Sequence, residues 1–98
     1  MTAPPPRRVA VVTGAARGIG LAIARRFVAQ GHCVALLDID VPTLEVAATT
    51  LGDTDAVLAL GCDVSQPQQV AGAVQRVVAA FGRIDALVNN AGIGRFFE

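Results

Sequence analysis

The 98-residue sequence contains no tyrosine and no lysine, a single serine (Ser65) and a single histidine (His32). Any reaction that relies on a tyrosine acid, or on a lysine to lower that tyrosine's pKa, is excluded for this chain as given. The formal net charge is zero, so nothing in the charge balance calls for a nucleic-acid or anionic-membrane partner. No uninterrupted apolar run approaches the ~18 residues of a membrane span. Arg7-Arg8 ahead of Val9-Ala10-Val11-Val12 has the charge order of a signal peptide, but the apolar run is too short and leads into glycines. The chain therefore reads as cytoplasmic. Its two cysteines, Cys33 and Cys62, lack metal-ligand spacing and read as small buried hydrophobes in a reducing compartment. His32 follows Gly31 at a helix-to-strand turn and reads as a solvated loop residue near a negative helix end.

What is present is apolar: 53% of the residues are hydrophobic, which fits one small ordered domain and argues against disorder. At this length folding buries only about 60–70% of the unfolded chain's surface, so stability is expected to be marginal. There is no internal repeat, low-complexity tract or linker.

The most informative segment is Thr13-Gly14-Ala15-Ala16-Arg17-Gly18-Ile19-Gly20. An apolar strand-like stretch precedes it and an amphipathic stretch follows, so it reads as strand, tight glycine loop and helix. In that arrangement a helix N-terminus offers unpaired N–H groups to a pyrophosphate. Gly14 lets the chain leave the strand in a conformation that a Cβ would obstruct. Gly18 lets backbone approach a phosphate, and Gly20 lets the helix pack close to the sheet. A glycine-rich run alone is a weak signal. Here the flanks have the right periodicities, and an acidic residue, Asp38, follows at the expected interval.

Residues 1–7, with Pro4-Pro5-Pro6, read as an extended arm. The first strand is expected over residues 8–12 and the first helix over residues 18–30, with Ile19, Ile23 and Phe27 on its buried face and Gly31 closing it. A second solid apolar strand covers residues 33–37 and ends at Asp38. Asp40 is the expected N-cap of a second helix, with Pro42 in its first turn, ending near Leu51-Gly52. The third strand is expected over residues 56–61. Ser65-Gln66-Pro67-Gln68 has capping-box spacing ahead of a third helix whose stripe is Val70, Val74, Val77 and Phe81, and Gly82 stops it. The fourth strand, residues 86–88, runs into Asn89-Asn90-Ala91-Gly92. Four strands alternating with three helices predict an α/β, doubly wound parallel sheet of order 3-2-1-4, because crossovers are right-handed.

In such sheets ligands bind beyond the carboxyl ends of the strands. The polar residues gather there: the glycine loop after strand one, Asp38 after strand two, Asp63 after strand three, and Asn90, Ala91 and Gly92 after strand four. Each is bland alone, since Asp and Asn are common turn residues. Their coincidence on one rim is what points to a site.

The chain resembles the short-chain dehydrogenase/reductase family. The resemblance rests on Thr13-Gly14-x-x-x-Gly18-x-Gly20, Asp38, Asp63-Val64 and Asn89-Asn90-Ala91-Gly92, and covers the chain from about Arg8 onward. It implies that residues 8–98 form the N-terminal part of a Rossmann-like, NAD(P)-binding domain, incomplete at its C-terminal side. It also implies that Gly14, Arg17, Gly18, Ile19 and Gly20 surround the cofactor's pyrophosphate. Asp63 would meet the adenine amino group with Val64 beside the ring. Asn90, Ala91 and Gly92 would line the path to the nicotinamide ribose, while Asn89 mainly braces neighbouring strands.

Charge selects between cofactors. Asp38 can accept hydrogen bonds from an adenosine ribose and repels a 2′-phosphate; near a surface a unit charge pair at about 4 Å is worth about 4 kcal/mol. Arg17 pulls the other way, since family members that prefer NADP often carry a basic residue there. Asp38 sits where the 2′ position must lie, so NAD is expected over NADP.

In the family, hydride passes between nicotinamide and a carbonyl or alcohol, with a tyrosine acid/base, a lysine in Tyr-x-x-x-Lys and a substrate-orienting serine. Ser65 does not match that serine, so the 98-residue chain alone is expected to lack dehydrogenase activity. The alternative is a non-catalytic NAD-binding module. A doubly wound sheet normally continues past strand four. Leu87 and Val88 are therefore expected on an exposed apolar edge that favours self-association, with Phe96 and Phe97 packing onto further structure.

Overall fold

Every residue of the first strand is buried, as expected of a strand covered on both faces. The structure, a computed structural model, describes residues 7–52 and 55–90. Along them run β1 (Val9–Thr13), α1 (Gly18–Ala29), β2 (Cys33–Asp38), α2 (Val41–Thr49), β3 (Val57–Gly61), α3 (Pro67–Phe81) and β4 (Ala86–Val88). The sheet order is β3-β2-β1-β4 and every pairing is parallel. Val9 lies opposite Cys33, Val34 opposite Val57, and Ala10 opposite Ala86. This is the topology expected from the sequence.

Alternation along the strands divides the core between the two faces. Val9, Val11, Ala35, Leu37 and Leu60 meet Ala73 and Val77 of α3 on one face. Val12, Val34 and Leu36 meet Ala24 of α1 and Leu44 of α2 on the other, with Ala15 and Ala16 of the glycine loop tucked beneath. Fully burying a side chain such as Leu36 or Leu44 contributes about 1.5–3 kcal/mol. At the opposite end of the sheet from the loop, the Val9 N–H donates to Asp85 Oδ2 at 2.8 Å and the Asp85 N–H donates to the Val9 carbonyl at 2.8 Å. Arg83 donates to Asp85 Oδ1 at 2.7 Å. That clip fixes where β4 starts against β1.

Helix ends follow local chemistry. Asp40 Oδ1 accepts from the Thr43 N–H at 3.3 Å, and Pro42 sits where no N–H is needed. After α1, the Gly31 N–H reaches the Val28 carbonyl and the His32 N–H reaches the Phe27 carbonyl, the paired bonds of a Schellman stop. Gly82, left-handed at φ 85, ends α3.

Several sequence expectations need correction. The strands and helices shift by one or two residues: β1 extends through Thr13, β3 begins at Val57, α1 ends at Ala29, and α2 ends at Thr49. Ser65 does not cap α3. The cap position is Gln66, without a side-chain bond, and Ser65 turns back to Asp63 instead, its Oγ donating to Oδ1 at 2.7 Å. The α3 stripe is Val70, Ala73, Val77 and Phe81, because the small Ala73 takes the close approach to the sheet while Val74 is 41% exposed. On α1, Ile19 is 68% exposed and Gly20 and Ala24 take the buried positions for the same reason. His32 is half-buried, edge-on to Phe27 with ring centroids 5.2 Å apart, and is not a solvated loop residue. Val88 packs against the α1 side of the core, so the exposed edge residue of β4 is Leu87, 66% accessible. The arm of residues 1–6, and Ala91, Gly92, Phe96 and Phe97, lie outside the described residues.

Candidate functional site

The carboxyl ends of all four strands point to one rim, and the β1–α1 loop crosses it. Gly14 has φ 62 and Gly18 has φ 60, values at which a Cβ would clash with the backbone. Gly20 is required by close approach. A Cβ on it would overlap the Gly14 carbonyl and come within 2.7 Å of Asn90 Nδ2. The glycine therefore opens space for the loop and for β4's exit as well as for helix packing.

Helix α1 starts without a side-chain cap. Arg17 occupies the cap position with extended backbone, and the first turn contains no acidic residue. The first-turn amides of Gly18, Ile19 and Gly20 thus have no side-chain capping group, and uncapped first-turn amides suit an anion's oxygens. Ile19 covers the outside of that turn. Its exposure belongs to the mouth of the site and not to the core.

Asp38 ends β2 beside the loop. Its Oδ2 accepts from the Ala16 N–H at 3.0 Å and its Oδ1 from the Asp40 N–H at 3.0 Å. The carboxylate is held in one orientation from two sides, yet each oxygen keeps acceptor capacity for a further donor. Arg17 extends to the start of α2: its guanidinium pairs with Asp40 Oδ2 and reaches Thr43 Oγ1 at 3.2 Å. The Asp40 carboxyl lies below the ordinary carboxylate range because it accepts from the Thr43 side chain and from Arg17.

Asp63 follows β3 and forms a tight turn, its Oδ1 accepting from the Ser65 N–H at 3.0 Å and its N–H donating to Gln69 Oε1 at 2.8 Å. Neighbouring Cys62 is buried, and burial together with the Asp63 charge pushes its thiol pKa up; it is an inert core residue. Val64 is half exposed on the wall of an apolar cavity of about 190 Å³ between Val70 and Val74 of α3 and Leu87 and Asn89 at β4. Beyond β4, the Asn90 amide Nδ2 donates to the Gly14 carbonyl at 3.2 Å.

Thr13, in sequence only the start of the glycine run, joins the two arms of the rim. Its buried hydroxyl accepts from the Asn90 N–H at 2.8 Å and donates to Asn89 Oδ1 at 3.1 Å. Asn89 is thereby a brace, as expected. The available signal was a polar residue ending a strand that is otherwise wholly apolar.

The structure thus brings Gly14, Arg17, Gly18, Ile19, Gly20, Asp38 and Asn90 together around one loop, with Asp63 and Val64 farther along the same rim. No group of three or more His, Cys, Asp or Glu side chains among the described residues could hold a metal ion. No helix among them is long and apolar enough to cross a membrane.

A parallel sheet with an uncapped glycine loop at its switch point defines a nucleotide-binding type of α/β fold. The family model described as short chain dehydrogenase matches residues 8–98, and the chain belongs to that family of oxidoreductases. It is 50% identical over 88 residues to an uncharacterised oxidoreductase of Mycobacterium bovis, covering 90% of this chain and 36% of that protein. It is also 50% identical over 88 residues to the 2-(R)-hydroxypropyl-CoM dehydrogenase of Xanthobacter autotrophicus, covering 88% of this chain and 35% of the other. Among solved structures, a 3-ketoacyl-(acyl-carrier-protein) reductase from Brucella melitensis complexed with NADH superposes with a TM-score of 0.78 at 36% identity, over 84% of this chain and 33% of that one. The chain spans about a third of the length of the curated relatives it matches.

Proposed function

We propose that this chain is the dinucleotide-binding portion of an NAD-preferring oxidoreductase that moves hydride between the cofactor and a small carbonyl or alcohol substrate. The uncapped start of α1 carries the reading. Its uncapped first-turn amides, at a loop whose glycines admit close backbone approach, suit the two negative phosphates of a dinucleotide. Support comes also from the related Brucella reductase, whose structure holds NADH.

The residues divide the work. Gly18, Ile19 and Gly20 offer N–H groups to the pyrophosphate. Asp38, fixed by Ala16 and Asp40, accepts hydrogen bonds from the adenosine ribose hydroxyls and repels a 2′-phosphate. Asp63 and Val64 flank the adenine, and Asn90, with Ala91 and Gly92, follows the cofactor toward its nicotinamide end. The bound nicotinamide supplies the hydride acceptor or donor. No residue of this chain fills the proton-transfer role, since tyrosine and lysine are absent. General acid–base catalysis contributes about 10²–10⁴-fold, so the 98-residue polypeptide by itself is proposed to bind cofactor without turnover.

Fluorescence titration with NADH and NADPH tests the preference. NADH is expected to bind at least about tenfold more tightly, some 1.4 kcal/mol, with Asp38→Ser narrowing the gap. Equal affinities, or tighter NADPH, contradict it.

A further inference from the structure

The proposed NAD preference leaves Arg17 unexplained, because a guanidinium beside the glycine loop is the group that would welcome a 2′-phosphate. The structure shows it otherwise engaged. Arg17 reaches across the mouth of the site to Asp40, two residues past Asp38, and its guanidinium also donates to Thr43 Oγ1 at 3.2 Å. Asp40 is itself immobilised. It caps α2 through the Thr43 N–H at 3.3 Å, and accepts the Thr43 hydroxyl at 2.8 Å. Its own N–H is bound to Asp38 Oδ1 at 3.0 Å. The acid that meets the ribose and the acid that holds the arginine are therefore tied into one turn.

We propose that Asp40 is a second specificity-determining residue, a positioning group that disfavours a 2′-phosphorylated dinucleotide by keeping the Arg17 guanidinium on the α2 side of the mouth. This inference rests on the dinucleotide reading of the same site. Asp38 acts by direct repulsion, whereas Asp40 acts by withholding a cation. To use Arg17, a 2′-phosphate would have to win it from a carboxylate and a hydroxyl already in place.

Asp40→Asn separates the two effects. Asparagine caps helices as well as aspartate does, so α2 and the fold are kept while the negative charge that holds Arg17 is removed. Titrations with NADH and NADPH at low ionic strength, where exposed charges are least screened, give the ratio of the two dissociation constants. Asp40→Asn is expected to lower the NADPH/NADH ratio of dissociation constants about two- to fivefold, chiefly through tighter NADPH, the range open to a charge-assisted contact at an exposed site. Adding Arg17→Ala to Asp40→Asn should abolish that gain. A merely structural role for Asp40 would weaken both cofactors alike. NADH binding with an unchanged ratio overturns this inference and leaves the dinucleotide reading intact. A gain that persists without Arg17 also overturns it, since Asp40 would then act by its own charge. A protein that binds neither cofactor overturns the dinucleotide reading and this inference together.

Discussion

The Thr13 hydroxyl accepts a hydrogen bond from the Asn90 N–H at 2.8 Å, joining residues 77 positions apart in sequence. It also donates to Asn89 Oδ1 at 3.1 Å, so one buried hydroxyl holds the exit of β4 against the start of the glycine loop. Thr13→Val keeps the shape and leaves the half-buried Asn90 N–H without its acceptor, which should cost about 1–3 kcal/mol. That corresponds to a melting temperature lower by roughly 4–8 °C per kcal/mol for a domain of this size. Thr13→Ser should recover most of the loss. A valine variant that melts with the parent would show that the hydroxyl is dispensable.

Gly20→Ala places a methyl against the Gly14 carbonyl and Asn90 Nδ2. The Asn90 amide can swing aside, but the Gly14 carbonyl is backbone and cannot yield without moving the loop. Overpacking of this kind costs about 1–3 kcal/mol, and the displaced loop should also lose dinucleotide binding. Thermal melts with and without NADH read both effects. An alanine variant with parental stability and NADH affinity would refute the close approach as a requirement.

Acid should loosen the structure at both ends of the sheet. Asp40 is held below its ordinary value of 3.8 by bonds from the Thr43 side chain and from Arg17. Asp85 is held below 3.8 by Arg83 first and then by the Val9 N–H. A carboxyl depressed in the folded state stabilises it above the unfolded pKa, and that contribution fades as pH falls through the lower folded value. Melting temperatures should therefore fall as pH drops below about 4. An Asp40→Asn, Asp85→Asn double variant should fall less steeply over that interval, and an identical slope would contradict these assignments.

Among the described residues β4 is an edge strand of the sheet, and its Leu87 is 66% accessible. Exposed apolar edges template pairing with other chains. Light scattering of the 98-residue polypeptide should report a mass above the monomer that rises with concentration, and Leu87→Lys should shift it toward the monomer. A monodisperse monomer at all concentrations would count against self-association through this edge.

The topology was legible because its signals are large. Unbroken apolar strands such as Val34 to Leu37 can only be covered on both sides, and the glycine loop marks the first crossover. The rim was legible for the same reason, since Asp38, Asp63 and Asn90 each end an apolar run. Hidden from the sequence were the choices made by small residues. Ala73 and Ala24 lie against the sheet because a helix can approach closely there, whereas hydrophobic periodicity alone favours the larger Val74 and Ile19. Ser65 had the spacing of a cap, but α3 begins one residue later with Gln66 at the cap position, and the Ser65 hydroxyl donates to Asp63 Oδ1. The Arg17–Asp40 pair joins residues 23 positions apart. Only the packed β2–α2 turn brings them together.

The central claim is that the backbone amides at the start of α1, together with Asp38, bind a nicotinamide dinucleotide. Isothermal titration of the folded protein with NADH tests it most directly. Saturable heat at one site per chain, lost in Gly20→Ala and weakened in Asp38→Ser, is the predicted result. No heat with either NADH or NAD on well-folded protein would contradict the claim.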